Sequence, residues 1–212
     1  LQNVPVEDGL AGWYYDEAFT REFIPGGNIL TENVTLYAKW EEGDSPFSYE
    51  VLADGTVKLL SYTGGGSSVS VPETLDGKPV SAIGEMAFAG QRDLQLVELP
   101  ASVETLDGSA FLGAVSLENI KISEENPNFL EKNGVLFNAS GKTLVAFPGA
   151  RGGHYAVPAG TTEIGKYAFT NCRRLRSVTL PTSDLILGKS VFSGCESLLA
   201  IDLSGVKEIP EL

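Results

Sequence analysis

Histidine, cysteine and basic residues are scarce in this 212-residue chain, and each scarcity argues against a class of function. The single histidine, His154, has no second histidine and no cysteine near it in sequence, so a histidine-dependent metal site or a Ser–His or Cys–His nucleophile is poorly supported. Lysine and arginine total 15 against 28 acidic residues, which leaves a net charge of −13. Such a balance repels phosphate backbones and anionic lipid, and it argues against nucleic acid and membrane surfaces as partners.

Long apolar runs are also missing. No stretch approaches the ~20 apolar residues that a membrane-spanning helix needs, so we expect no direct membrane insertion. The chain shows no signal peptide or anchor motif, and Leu212 falls partway through a repeat unit. We interpret the sequence as part of a longer protein that is monomeric as a fragment, with any targeting signal lying elsewhere.

A repeated motif is the most prominent feature that the chain does have. The stretch Ile164–Pro181, IGKYAFTNCRRLRSVTLP, returns further on as LGKSVFSGCESLLAIDLS, which places Phe169 and Phe192 23 positions apart. Phe88 and Phe111 keep the same interval in two earlier copies. Four copies at one period are typical of a solenoid, and we expect the four phenylalanines to stack in one continuous column.

Each copy is made of short pieces. The spacing Leu175-x-x-Val178-x-Leu180 places alternate side chains inward on a strand. After a turn, an Ile-Gly segment leads to about one and a half helical turns that carry Ala-Phe, and helices this short need stacking to hold them. The predicted fold is α/β and β-rich: a repeat solenoid with a curved parallel sheet and short helices on the other side.

A hairpin is predicted at the start of the solenoid. Asp54-Gly55 lies between the apolar runs Phe47–Val51 and Val57–Tyr62, which is a strong hairpin signal. Terminal repeats need a cover for their apolar end, so we expect a capping hairpin over residues 47–66.

The period also sets the predicted domain boundaries. The solenoid is assigned to residues 46–212, and its third repeat exceeds the period by twelve residues, which we assign to a second hairpin inserted at 129–150. Residues 1–45 lack the period. Apolar and polar residues alternate over 34–40, which predicts a half-buried strand in a small β unit that is followed by a charged linker.

The N-terminal segment resembles a known repeat. The sequences GLAGWY at Gly9–Tyr14 and LYAKW at Leu36–Trp40 resemble the Listeria–Bacteroides, or internalin-type B, repeat. The N-terminal strand region of that repeat is missing here, so residues 1–45 are interpreted as a partial copy.

The periodic segment resembles a second family. The pattern LxxLxLP followed by IGxxAFxxC is similar to the BspA-like leucine-rich repeats of bacterial surface proteins, over about residues 47–212. The insertion NGVLFN…KTLVAFP is also similar to what that family carries. Gln91 and Ala114 replace the cysteine of the motif, and Asp107 replaces its glycine. This resemblance implies a leucine-rich-repeat solenoid and a non-catalytic, extracellular role in adhesion or host-protein binding.

Polar residues on the open face of the sheet form the predicted ligand-binding surface, because they lie between the inward positions of each strand. The residues assigned to it are Ser70, Glu98, Lys121, Asn119, His154, Ser177, Thr179 and Asp202. The rows contain none of the Tyr, Trp and Arg residues that usually anchor tight interfaces, so the inserted hairpin is a further candidate for binding.

The only basic cluster is Arg173, Arg174 and Arg176, which is either a solvated loop or a contact for a sulfated or sialylated glycan. The acidic stretches 41–44 and 124–126 lack the alternating spacing of a calcium loop and are interpreted as solvated turns. We therefore predict no metal site and no cofactor.

The two cysteines, Cys172 and Cys195, occupy equivalent positions in adjacent repeats. Stacked strands lie roughly 4.8 Å apart, so the geometry permits a disulfide. The alternative that we favour is a pair of small apolar groups in a buried ladder.

Three functions are compatible with this pattern. The leading prediction is a non-enzymatic bacterial cell-surface module that binds an extracellular protein or glycan. The alternative is a structural spacer in a larger surface protein. The third, hydrolysis by Glu98 and a neighbouring acid, is disfavoured because no facing carboxylate lies at the required separation.

Overall fold

The computed structural model describes residues 10–16, 18–24, 36–40, 45–181 and 184–208. The chain divides into two compact units, Leu1–Pro46 and Phe47–Leu212. Both are built from short strands and turns, and none of the residues in the described ranges is helical.

The first unit is a three-stranded antiparallel sheet. β1 (Leu10–Tyr14) lies between β2 (Glu22–Phe23) and β3 (Tyr37–Trp40). Phe23 is buried in it. β3 covers the second half of the strand predicted over 34–40, whereas positions 34 and 35 lie outside the described residues.

The second unit contains the remaining strands. In chain order they are β4 (Phe47–Val51), β5 (Val57–Tyr62), β6 (Ser68–Ser70), β7 (Thr74–Leu75), β8 (Lys78–Ile83), β9 (Leu96–Leu99), β10 (Thr105–Leu106), β11 (Asn119–Ile122), β12 (Phe129–Lys132), β13 (Val135–Asn138), β14 (Thr143–Ala146), β15 (Gly153–Ala156), β16 (Glu163–Ile164), β17 (Leu175–Thr179), β18 (Leu185–Leu187), β19 (Ala200–Ile201) and β20 (Val206–Glu208). They form a β-solenoid of about six turns, here called rungs, as the repeat predicts.

Each complete rung adds one strand to a front sheet and one to a side sheet. The front strands are paired in parallel as β6-β9-β11 and as β15-β17-β19. The side strands are paired in parallel as β5-β8-β10 and as β14-β16-β18-β20. The parallel strands of the front are thus divided into two three-stranded sheets.

The inserted segment causes this division. β13 and β14 form an antiparallel hairpin, and β14 then pairs in parallel with β16. The N–H of Ile120, in β11, donates to the carbonyl of Gly134 in the insert, at 3.1 Å. The turn of the insert thus takes the place beside β11 that the next front strand would otherwise fill.

The insert begins the second half of the solenoid in the way that the capping hairpin begins the first. β4 and β5 are antiparallel, and β5 pairs in parallel with β8. The N–H of Gly84 donates to the carbonyl of Leu59 at 2.8 Å, and that of Gly165 donates to the carbonyl of Leu144 at 2.9 Å. The same contact therefore anchors the first full rung of each half to its hairpin.

The core is divided in the same place. The first hydrophobic cluster contains Phe88 and Phe111, whose stacked rings lie 5.5 Å apart. The second contains Phe169, with Phe192 packed against it at 5.3 Å. Phe147, from the insert, lies 4.8 Å from Phe169 and starts the second column. The expectation of one continuous column was therefore wrong.

The predicted short helices are replaced by successive turns. Met86 and Tyr167, at equivalent positions ahead of the buried phenylalanines, have φ values of 58° and 59°, a conformation that an α-helix cannot contain. The N–H of Ala89 donates to the carbonyl three residues earlier, whereas the N–H of Phe88 donates to Ala110 in the next rung, at 2.8 Å in both cases. Backbone groups that a helix would pair internally are thus paired between rungs, so the helix prediction was wrong.

Candidate binding surface

The first front sheet carries a hydrogen-bonded polar row. The register of β6, β9 and β11 aligns Ser70 with Glu98 and Glu98 with Lys121. The hydroxyl of Ser70 donates to one carboxylate oxygen of Glu98 at 2.6 Å, and Nζ of Lys121 lies 3.1 Å from the other. All three side chains are solvent-accessible, so their polar atoms are also available to a ligand.

The charge on Glu98 is stabilised within this row. The hydrogen bond from Ser70, followed by the hydrogen bond and positive charge of Lys121, lowers the pKa of the Glu98 carboxyl below its ordinary value of 4.5. The row therefore presents a fixed pattern of donor, anion and cation near neutral pH. Because Glu98 is flanked by a hydroxyl and an ammonium group, the row offers no second carboxylate for acid–base hydrolysis.

The second front sheet carries a polar group that is formed by His154 and two hydroxyls. His154 in β15 aligns with Ser177 in β17, and His154 Nδ1 lies 2.9 Å from the Ser177 hydroxyl oxygen. The other ring nitrogen lies 3.5 Å from the hydroxyl of Thr179. A Ser–His–acid triad would have a carboxylate at that second nitrogen, so the geometry supports hydrogen bonding to a ligand more than nucleophilic attack. β15 is an edge strand of its three-stranded sheet.

A groove lies between the two front sheets, and it contains a residue that the sequence did not single out. Arg151 Nε donates to the carbonyl of Glu118 at 2.9 Å, and its terminal nitrogen donates to Oδ1 of Asn119 at 3.1 Å. Glu118, Asn119, Ala150 and Arg151 line the groove. Arg151 is thus placed next to the predicted surface by the return of the insert. In the sequence, only the twelve residues by which the third repeat exceeds the period indicated that the regular surface changes near Arg151.

Glycine is required at the turn of the insert. Gly134 has a φ of 76°, and a Cβ built there would lie 2.3 Å from the guanidinium of Arg151 and 2.5 Å from Oδ1 of Asn119. Both the conformation and the close approach favour glycine. A side chain at this position would therefore displace Arg151 or Asn119.

The remaining predicted residues lie apart from these groups. Asp202 follows the last front strand, and its carboxylate accepts a hydrogen bond from the N–H of Ser204 at 2.9 Å, which lowers the pKa of Asp202. Arg176 is the extra residue where the register of β15 and β17 shifts, and Arg174 lies against Gly152. Arg173 lines a cavity on the turn side of the solenoid. The three arginines therefore do not contribute to one shared site.

The two cysteines are free thiols in adjacent rungs. Cys172 is buried, and Cys195 Sγ donates to the carbonyl of Phe169 at 3.0 Å. The hydrogen bond with Cys195, together with burial, raises the pKa of the Cys172 thiol. Cys172 is placed as expected for a packing group in a buried ladder, whereas Cys195 is only partly buried.

The residues of the described ranges show neither a cluster of metal ligands nor a membrane-spanning helix. Within those ranges no three His, Cys, Asp or Glu side chains converge on a possible metal position, and the acidic stretch 41–44 lies outside them. No helix long and apolar enough to cross a bilayer occurs in the same part of the chain.

Comparison with known proteins identifies the repeat. The model of the BspA type leucine-rich repeat region matches residues 66–139 and 146–211, in six copies. No curated protein sequence matches the chain.

Several solved structures are similar. The pneumococcal vaccine antigen PcpA shares 24% identity over 64% of this chain and 39% of that chain, with a TM-score of 0.52. The Treponema (T. pallidum) leucine-rich repeat protein TpLRR shares 28% identity over 73% of this chain and 56% of that one, with a TM-score of 0.42. A leucine-rich cell surface protein of Faecalibacterium prausnitzii shares 18% identity over 79% and 78%, with a TM-score of 0.42. The chain thus spans 39% of PcpA and 56% of the treponemal protein, and the likeness to PcpA establishes the fold alone.

Proposed function

The chain belongs to the BspA-type leucine-rich repeat family, and from that premise we propose that it is a non-enzymatic bacterial cell-surface module that binds an extracellular protein or glycan through its front sheets. A similar structure is described as a leucine-rich cell surface protein, which supports an extracellular location. The partial Listeria–Bacteroides repeat at residues 1–45 remains a prediction.

The observation that carries this proposal is the exposed row Ser70–Glu98–Lys121. A purely structural spacer has no need for an ordered row of donor, anion and cation on its open face. The two charges of the row are already paired at 3.1 Å, so a ligand that covers the row leaves neither charge without a partner. The Asn119–Arg151 contact extends this polar surface to the groove and adds a guanidinium, a group that is common at binding hot spots.

The binding surface is formed mainly by small polar side chains, so we expect each copy to bind weakly. Interfaces without buried aromatic anchors seldom reach high affinity. Multivalent display on a cell surface raises the apparent affinity by about 10²–10⁴ without any new contact. Adhesion through many weak copies is therefore the expected mode of action.

A panel of extracellular proteins and glycans, probed with the chain displayed on multivalent beads, tests this proposal. Wild-type beads are expected to bind a subset of the panel well above the signal of the monomer. The double variant Glu98→Ala/Lys121→Ala keeps the net charge and removes the row, and it should lose about tenfold in apparent affinity. The matched control is Glu50→Ala/Lys58→Ala, which removes an ion pair of similar length, 3.0 Å, from the capping hairpin.

The controls separate the alternatives. Equal loss in both double variants would show that the front row is not the site. If multivalent wild-type beads bind nothing above background, the spacer function is correct. Release of product from labelled polysaccharide by the wild type would instead support an enzyme.

A further inference from the structure

A small cavity on the turn side of the solenoid lies where its two halves meet. It measures about 200 Å³, and we call it the arginine notch. Its lining residues are Gly90, Arg92, Gly113, Val115 and Arg173. Gly90 and Arg92 come from one rung of the first half, Gly113 and Val115 come from the next, and Arg173 comes from the second half. The notch is therefore created by the tertiary structure.

The notch contains a backbone donor without an acceptor. At equivalent turn positions, the N–H of Gly90 donates to Leu112 at 3.0 Å and that of Asn171 donates to Ser193 at 2.8 Å, each in the next rung. The N–H of Gly113 occupies the same position, and it has no acceptor among the residues that the structure describes. An unpaired backbone N–H at a cavity wall is available to an anion.

The insert explains why this acceptor is missing. The next segment on this side of the solenoid is the end of the insert, which contains Gly149. This glycine packs tightly between its neighbouring rungs. A Cβ there would be 3.0 Å from the carbonyl oxygen of Ala114 and 3.6 Å from that of Asn171. That segment contains Pro148 and does not repeat the full turn of the other rungs. The lateral hydrogen bonds between rungs are therefore interrupted here.

Two guanidinium groups line the same notch. Arg92 is exposed, and it forms no ion pair within the described ranges. Arg173 Nε lies 3.3 Å from Glu196, but both side chains are more than half exposed, so solvent screens this pair. The notch thus holds two cations and one free N–H against one weakly bound carboxylate.

We propose that the arginine notch binds one oxyanion group, a sulfate or a carboxylate, carried by an acidic glycan. Guanidinium groups match the planar, multiple-acceptor geometry of such anions and stay charged at any physiological pH. The cavity is large enough for one such group and too small for a sugar chain, so the rest of the ligand lies outside it. Of the three clustered arginines, only Arg173 contributes, and its partner is Arg92.

This site is independent of the front-sheet proposal, because none of its lining residues belongs to the polar rows. Either proposal can therefore fail without the other. A net charge of −13 repels polyanions at long range, so the notch is expected to act only at short range and to be sensitive to salt.

The test is an NMR titration of isotopically labelled protein with sodium sulfate, with sodium chloride used to hold the ionic strength constant. The amide of Gly113 and the Nε–H resonances of Arg92 and Arg173 are expected to shift together and to saturate, with a dissociation constant on the order of 1 mM. Shifts that spread over all lysines and arginines without saturating would overturn the proposal.

Variants make the assignment specific. Arg92→Ala and Arg173→Ala should each weaken sulfate binding about tenfold, and Arg92→Lys, which keeps the charge but loses the fork, should also weaken it. Lys142→Ala is the matched control, since it removes one exposed positive charge from the turn of the insert. Equal weakening by Lys142→Ala and Arg92→Ala would show a net-charge effect and sink the site.

A gain-of-binding variant complements these losses. Glu196→Gln removes the carboxylate that competes for Arg173, so it should tighten sulfate binding two- to threefold, roughly the strength of an exposed ion pair. Unchanged or weaker binding by this variant would count against the notch. Unchanged resonances elsewhere in each spectrum serve as the check that the variant is folded.

The source of the anion is resolved by comparing probes. Binding of sulfate and of a sulfated disaccharide, but not of acetate, assigns the site to sulfated glycans. Binding of acetate and glucuronate assigns it to uronic or sialic acids. If neither class produces saturable shifts at Gly113, the notch binds no oxyanion.

Discussion

Nζ of Lys166 lies 2.6 Å from a carboxylate oxygen of Asp107 and joins the two halves of the solenoid. Asp107 is the residue that departs from the glycine of the repeat motif. Its other carboxylate oxygen accepts hydrogen bonds from the N–H and the hydroxyl of Ser109, at 2.9 and 2.6 Å. Asp107 thus replaces the motif glycine in the last rung before the insert. At this position its carboxylate can bind Lys166 from the second half of the solenoid.

Replacing Asp107 with Ala is expected to lower the free energy of unfolding by about 2 kcal/mol. The variant removes a largely buried carboxylate together with its three charge-assisted hydrogen bonds. The side chain of Asp107 is 16% exposed, whereas those of the front pair Glu98 and Lys121 are 43% and 55% exposed. Lys121→Ala, the control, should therefore cost less than about 1 kcal/mol. Urea denaturation measures both, and equal losses would contradict the prediction.

The same ion pair predicts how stability depends on pH. Burial alone would raise the pKa of Asp107, but hydrogen bonds from Lys166 and Ser109 and the charge of Lys166 hold it below its ordinary value of 3.8. Its contribution is therefore present above pH 3.8 and is lost as the pH falls through the lower pKa of the folded state.

Lys166 sets the upper pH limit of the stabilisation by this ion pair. The hydrogen bond from its ammonium to Asp107 raises its pKa above 10.5, so its contribution is complete below that pH and is lost as the pH rises through the folded value. The difference in Tm between wild type and Asp107→Asn should be constant near neutral pH and shrink at both extremes. A difference that persists unchanged in strong acid would refute the assignment.

Asn126 is expected to be essential for the start of the insert. Its amide nitrogen donates to the carbonyls of Pro100, Ala101 and Val103 at 3.3, 3.0 and 2.8 Å, and its oxygen accepts from the N–H groups of Asn128 and Phe129, both at 2.8 Å. Asn126→Ala removes these hydrogen bonds from a largely buried network and should cost about 3 kcal/mol.

A matched substitution makes that prediction specific. Asn119→Ala alters the exposed groove and should cost about 1 kcal/mol or less. Asn126→Asp should be at least as damaging as Asn126→Ala, because it directs a carboxylate at three carbonyl oxygens. Chemical denaturation midpoints rank the three variants, and a mild effect of Asn126→Asp would be inconsistent with the network.

In the second hydrophobic cluster, the contribution of each stacked phenylalanine to stability should decrease toward the C-terminal end of the solenoid. Phe169 is fully buried between the rings of Phe147 and Phe192, whereas Phe192 is only partly buried. Phe169→Ala should cost about 3–5 kcal/mol, since stacked neighbours cannot collapse into the gap. Phe192→Ala should cost about 1–2 kcal/mol, in proportion to its smaller buried area. Similar losses for the two variants would mean that the column is more evenly packed.

Gly108 lies against the backbone of Lys166 in the second half. A Cβ at this position would be 1.9 Å from the carbonyl oxygen of Lys166, which cannot move without breaking the solenoid stack. Gly108→Ala should therefore cost about 3 kcal/mol or more. Gly160 has no atom within 4 Å of its Cβ position, and Gly160→Ala should be neutral or stabilise by up to about 1 kcal/mol. Thermal unfolding distinguishes them, and two neutral variants would disprove the close approach.

Local residues made much of the fold predictable. The inward spacing at Leu175, Val178 and Leu180 identified the strand positions, because alternation along a strand depends only on neighbours in sequence. The repeat also predicts that Glu98 lies beside Lys121, because equal periods keep equivalent residues in register. The helix prediction was wrong because a non-glycine residue such as Met86 gives no sequence sign that it adopts a positive φ.

The sequence by itself determined the repeat, the family and which side chains share a row, because all three depend on spacing along the chain. Only the tertiary structure decided that the solenoid is divided in two, that Arg151 reaches Asn119 and that Arg92 and Arg173 line one cavity. The physical reason is that the return path of the inserted hairpin sets these contacts, and that path depends on packing between segments far apart in sequence.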